Sequence, residues 1–186
     1  MAALGRYIVM LGFAGARTAL TLAELHREDV QKRFPKHFLK QEDELRRVVN
    51  RLSELELQEE GSVPLQESEV FPALWKLAED FDAGLDVELR KIPVLQFVIE
   101  VSELFDVNPY VNMTALENKE CFRENVSEIQ SENVTYSLLI VTDKPEEIIA
   151  FAEAIRLPSA IIGRLTDKND RVVRNGEIIR YLTPEG

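Results

Sequence analysis

One cysteine, Cys121, in 186 residues excludes an internal disulfide and any metal cluster built from cysteines. Basic residues are also in short supply: 22 Lys and Arg stand against 33 Asp and Glu, a net charge of −11. Binding to a phosphate backbone needs clustered cations, so this balance argues against a nucleic-acid partner and against anionic membranes. With only eight glycines there is no P-loop and no dense glycine loop. The apolar run Tyr7 to Ala16 falls short of the roughly 20 residues a membrane helix requires, and Arg17 ends it. His26 and His37 share no metal-ligand spacing.

What is present is ample apolar material. At 45% hydrophobic residues and 186 in length, the chain is expected to form one domain over residues 1–186. A lone cysteine suits a reducing cytoplasm. An alternative is a secreted protein. Tyr7 to Ala16 behind Arg6 has the outline of a signal peptide, and Asn112, Asn125 and Asn133 each open an Asn-x-Ser/Thr triplet. The same run also reads as a buried strand, which is the reading adopted.

The tail is the clearest folding unit. Ser137 to Val141 reads as a buried strand, Pro145 to Ile155 as a helix with Glu146 and Glu147 at its positive end, and Ala160 to Ile162 as a further strand. Arg171 to Val173 and Ile178 to Tyr181 flank Asn175-Gly176, the pair favoured in a type I′ hairpin. Nearer the front, Tyr7 to Phe13 reads as a strand and Thr18 as the N-cap of a helix reaching Arg33. A second helix, about 38–57, has Leu45, Val48, Val49, Leu52 and Leu55 on one stripe, opposite Glu42, Glu44, Arg46, Arg47 and Arg51. Residues 58–68 read as a polar connection, 70–81 as a helix, 85–87 as a short strand and 94–105 as a fourth helix ending before Asn108-Pro109. Residues 112–135 lack a sustained apolar period and are expected to form a surface excursion. The alternation of elements gives an α+β, or α/β layered, domain.

Three sets of words carry a family resemblance. The tail has Leu-Leu-Ile-Val-Thr-Asp from Leu138, Ile-Ile-Gly-Arg-Leu-Thr from Ile161 and Asn-Gly-Glu-Ile-Ile-Arg-Tyr-Leu from Asn175. The middle has Val70-Phe71, Ala73-Leu74-Trp75, Leu77-Ala78-Glu79, Ile92-Pro93 and Leu104-Phe105 before Asn108-Pro109-Tyr110. The front has Ile8, Val9, Gly12, Ala14, Gly15, Thr18 and Ala19, a strand and glycine turn entering a helix. Together these resemble the C-terminal domain of the AIR synthase-related family over nearly the whole chain. Relatives include aminoimidazole ribonucleotide synthetase, selenophosphate synthetase, thiamin-phosphate kinase and the hydrogenase maturation carbamoyl dehydratase. The resemblance implies a mixed β-sheet covered by helices. It implies ATP and Mg as cofactors only together with an N-terminal domain that carries the metal-binding aspartates.

The resemblance breaks at two places. Before the Ala-Leu-Trp helix the family carries a segment like His-Asp-x-Thr-Glu-Gly-Gly, where this chain has Val63 to Glu69, including Gln66, Ser68 and Glu69. Both glycines are lost, and Glu69 sets a negative charge where a phosphate should lie. After Tyr110 the family's Ser-x-Gly turn is replaced by the polar excursion. Gly12, Gly15 and Thr18 remain as a candidate anion or phosphate contact at a helix start, against the plainer reading of a structural turn. Neither catalytic nor metal-ligating residues are assigned. Asp80 with Asp82 and Glu146 with Glu147 read as ordinary solvated acids, Cys121 as an unreactive thiol and Trp75 as core.

Two functions remain open from the sequence. One is the C-terminal half of an ATP-dependent enzyme, inactive alone, with an AIR synthase-like N-terminal half as partner. The other is a non-catalytic protein-binding or regulatory module derived from that family. A homodimer is possible, but the family's dimers form largely through the N-terminal domain.

Overall fold

The computed structural model describes residues 6–55, 61–112 and 133–186. Strand β1 (Tyr7–Gly12) is buried from Ile8 to Gly12, and β4 (Ser137–Thr142) from Ser137 to Val141. Strands apolar toward both faces must be covered on both, and these two lie side by side inside the sheet. With β2 (Ser62–Leu65), β3 (Gly84–Glu88), β5 (Ser159–Thr166), β6 (Arg171–Asn175) and β7 (Ile178–Tyr181) they form a seven-stranded sheet ordered β2-β4-β1-β5-β3-β6-β7. Every pairing is antiparallel except β3 with β6, so the sheet is mixed, as the resemblance implies.

Helices α1 (Ala16–Leu25), α2 (Arg27–Arg33), α3 (Lys36–Glu54), α5 (Gln96–Leu104) and α6 (Pro145–Ala154) gather on one face, where Leu22, Leu45, Val49, Phe97 and Val101 meet Leu11, Leu138 and Ile140. Helix α4 (Val70–Asp80) covers the other face with Val70, Leu74 and Leu77 against Ile8, Met10, Leu139 and Val173. Burying an aliphatic side chain of this size is worth about 1.5–3 kcal/mol, so these two clusters carry the fold.

Several expectations change in detail. The helix expected over Thr18 to Arg33 is two helices, broken at His26 (φ −120°, ψ 41°), which lets Val30 turn into the core while Glu28 and Asp29 take the first turn of α2. The N-cap is Gly15 rather than Thr18. The polar connection contains a strand, β2, paired to β4. Glu42, expected on the solvent face of α3, is 6% exposed. In the hairpin Asn175 pairs with Ile178, so Gly176 and Glu177 form the loop, and Gly176 alone has positive φ (64°). That matches a type II′ turn rather than the type I′ expected, because only the first loop position needs glycine. Of the excursion expected at 112–135, residues 113–132 lie outside the described residues, Cys121 and Asn125 among them. Thr135, already buried, donates its amide to Ser53 Oγ at 2.9 Å.

Candidate functional site

The loop between β1 and α1 is shaped by Gly15, which adopts φ 70° and ψ 10°. A Cβ there would sit 2.5 Å from Pro109 Cβ and 2.6 Å from Val98 Cγ1, so both conformation and space call for glycine. The turn leaves the first amides of α1 pointing at a single group from the far side of the sequence. Glu69, at the N-cap of α4, is 3% exposed. Its Oε2 accepts from Gly15 N at 3.2 Å, and its Oε1 accepts from Thr18 N at 3.1 Å and from Thr18 Oγ at 2.8 Å. The orphan donors of α1 are thus capped by a side chain 51 residues away rather than by a neighbour.

The surroundings hold that carboxyl group in place. Asn112 Oδ1 accepts from Glu69 N at 2.7 Å, and Arg17 Nη1 donates to the Glu67 carbonyl. Phe71 N donates to the Tyr110 carbonyl at 3.0 Å, and the two rings stack with centroids 5.1 Å apart, so the Asn-Pro-Tyr loop closes the site from below. Burial pushes the Glu69 carboxyl up to about 7, while the bonds from Thr18 and Gly15 and the nearby Arg17 charge oppose that rise. The half-buried Tyr136 hydroxyl is pushed up as well, by burial first.

The structure brings together some residues singled out in the sequence and separates others. Gly15, Thr18 and Glu69 meet directly. Gly12 does not join them: its amide donates to the Pro158 carbonyl at 2.8 Å. Gln66 is exposed and Ser68 half-buried, and among the described residues neither is seen bonding to the carboxyl group. Asn112 and Arg17 were not identified as site residues by sequence reasoning. Asn112 had no local signal apart from its glycosylation triplet, and its role depends on a contact 43 residues distant. His37 is exposed, and His26 packs on Phe105 with ring centroids 4.6 Å apart. Asp80, Asp82, Glu146 and Glu147 are exposed. No group of three or more metal-ligating side chains occurs among the described residues, and no helix among them is long and apolar enough to cross a membrane.

The sequence matches no family model and no curated protein. Solved structures do match. HypE from E. coli superposes with TM-score 0.60 at 15% identity, covering 97% of this chain and 50% of that one. A chain of a HypE–HypF complex superposes with TM-score 0.61 at 11% identity, covering 97% of this chain and 53% of that one. The chain has their fold. Thiamine monophosphate kinase from Aquifex aeolicus is similar too, with TM-score 0.55 at 16% identity over 95% of this chain and 52% of the kinase. A structure of that kinase complexed with AMPPCP and TMP superposes with TM-score 0.54. HypE and this kinase are both AIR synthase-related proteins, so the fold is that of an AIR synthase C-terminal domain. The chain spans about half the length of the solved proteins it matches.

Proposed function

We propose that this chain is a non-catalytic module of AIR synthase-related, HypE-like fold, which does not perform ATP-dependent phosphoryl transfer by itself. The observation that carries the reading is the occupancy of the α1 N-terminus by the Glu69 carboxyl group, bonded to Gly15 N, Thr18 N and Thr18 Oγ. A helix start with free amides is an anion site, and here the acceptor is built into the chain. A nucleotide phosphate would have to displace a buried group bonded three times and then lie against its charge. Phosphoryl transfer also needs metal ions to neutralise developing charge, and the family resemblance puts their aspartate ligands on an N-terminal domain. The module's role is then protein binding, for which the HypE–HypF complex of a neighbour provides a precedent in that fold.

The experiment is magnesium-dependent ATP hydrolysis by the purified chain, with AMPPCP binding measured in parallel by calorimetry. The expected result is neither turnover nor magnesium-dependent AMPPCP binding. Turnover that follows magnesium, or AMPPCP binding that requires it, rejects the reading.

A second reading is favoured by the length comparison, since the solved neighbours are about twice as long. In it the chain is the C-terminal half of an ATP-dependent enzyme and works with an N-terminal AIR synthase-like half carrying the ATP and Mg ligands. A stable complex with such a half that hydrolyses ATP supports the second reading over the first.

A further inference from the structure

Away from the Glu69 site, the sheet carries a different chemistry at its other end. Leu85, Val87 and Val173 turn into the core beneath α4, so alternation sends Asp86, Glu88 and Arg174 to the opposite face. Pairing register extends that face across the sheet, because Tyr7 pairs with Arg164 and Arg164 with Asp86, while Arg174 pairs with Ile179. Tyr7 is 43% exposed and Ile179 46%, so this part of the face lies open.

The open region is a hollow of about 320 Å³, lined by Tyr7, Asp86, Arg164 and Arg174 from the strands and by Arg90 and Lys91 from the 3-10 turn Leu89–Lys91 after β3. Four cations therefore face two carboxylates, Asp86 and Glu88, in a molecule whose net charge is −11. The carboxylates do not consume the positive charge. Among the described residues Asp86 is held by Arg174 Nε alone, at 2.8 and 3.0 Å, and Glu88 by Lys91 at 2.9 Å. Arg90 Nε donates to Asn175 Oδ1, an uncharged acceptor, at 3.1 Å, and its guanidinium lies over Gly176 of the hairpin loop. The Arg164 side chain makes no ion pair or hydrogen bond with a described residue. Among the described residues two guanidinium groups thus have no carboxylate partner, beside a third whose Nη atoms are not engaged by Asp86.

We infer that this hollow binds a small, multiply charged anion of the phosphate class, gripped by Arg90, Arg164 and Arg174 against the wall formed by Tyr7. Guanidinium forks match phosphate oxygens in pairs, which lysine cannot do. A concave site lined with one sign of charge raises the local concentration of the opposite ion, and here the acidic remainder of the molecule would repel anions elsewhere. The volume admits a ligand the size of pyrophosphate or a phosphorylated sugar and is at the lower end of small-molecule sites, about 300–1,000 Å³. The Glu69 site plays no part in this inference.

The test is calorimetric titration of the intact chain with pyrophosphate in low salt, repeated for Arg164→Gln and for Arg164→Gln with Arg90→Gln. Pyrophosphate is expected to bind with Kd of about 0.1–1 mM. Arg164→Gln is expected to weaken binding about tenfold and the double variant to abolish it, with melting temperatures unchanged because neither residue is buried. Absence of saturable binding overturns the proposal, as does unchanged affinity in the double variant. Binding of a poly-glutamate peptide without binding of pyrophosphate overturns it too, since the face would then be an acidic-polypeptide surface.

Discussion

Glu69 is the residue on which most of the local chemistry turns, and its titration gives the sharpest test. With the folded carboxyl raised from its ordinary 4.5 to about 7, the folded protein keeps a proton that the unfolded chain has already released. Between these values the unfolded state binds fewer protons, so stability falls as pH rises through the window. Relative to Glu69→Gln, which has no proton to lose, the wild type should therefore lose up to about 3 kcal/mol between pH 5 and pH 8. Urea titrations of both proteins at the two pH values measure this. Parallel curves would show that Glu69 stays ionised throughout. Thr18→Val keeps the shape and removes the Oγ donor to Glu69 Oε1, and should cost about 1–3 kcal/mol. Gly15→Ala combines a left-handed φ of 70° with contacts below 3 Å to Pro109 and Val98, and should cost at least about 2 kcal/mol, read from the shift in denaturation midpoint.

Helix α3 shows where an element's pattern was legible and where it misled. Leu45, Val48, Val49 and Leu52 are buried as the stripe predicts. Glu42 sits on what the same pattern marks as the wet side, yet it is buried between α3 and the start of α2. Its Oε2 accepts from Arg27 Nη1 at 2.7 Å, and its Oε1 accepts from Arg46 Nε and Nη2 at 3.1 and 2.9 Å. Burial pushes its carboxyl upward, but the two guanidiniums outweigh that and hold it below the ordinary carboxylate range. Glu42→Leu leaves Arg27 and Arg46 without their shared partner and should destabilise by about 1–3 kcal/mol, measured by urea unfolding at pH 7. A periodicity argument cannot see this, because Arg27 lies 15 residues away on another helix. Strand β2 was missed for a related reason: Ser62–Leu65 holds a proline and is half exposed, and becomes a strand only by adding to the edge of β4.

For the molecule as a whole, the net charge of −11 makes self-repulsion the long-range term that opposes compaction. Screening acts within about 10 Å at 0.1 M salt, so raising NaCl from 10 to 150 mM should increase the melting temperature by about 2–4 °C, a change of about 1 kcal/mol for a chain of this size. A decrease would mean that local ion pairs such as Asp86 with Arg174 outweigh the field. The same global acidity makes the basic hollow on the open sheet face a local reversal of sign, invisible in composition.

The amino-acid sequence determined by itself the elements with strong short-range signals: the buried runs that became β1 and β4, the helix opening at Pro145, the hairpin at Gly176 and the stripe of α3. It also determined the layered α+β class, because alternating apolar periods of two and 3.6 have few ways to pack. The tertiary structure alone decided that Glu69 caps α1, that Asn112 holds the Glu69 amide, that Glu42 is buried and that Arg90, Arg164 and Arg174 share one hollow. Each of these brings together residues 15 or more apart in the chain. Such contacts are set by the order and register of strands, and only the folded sheet specifies these.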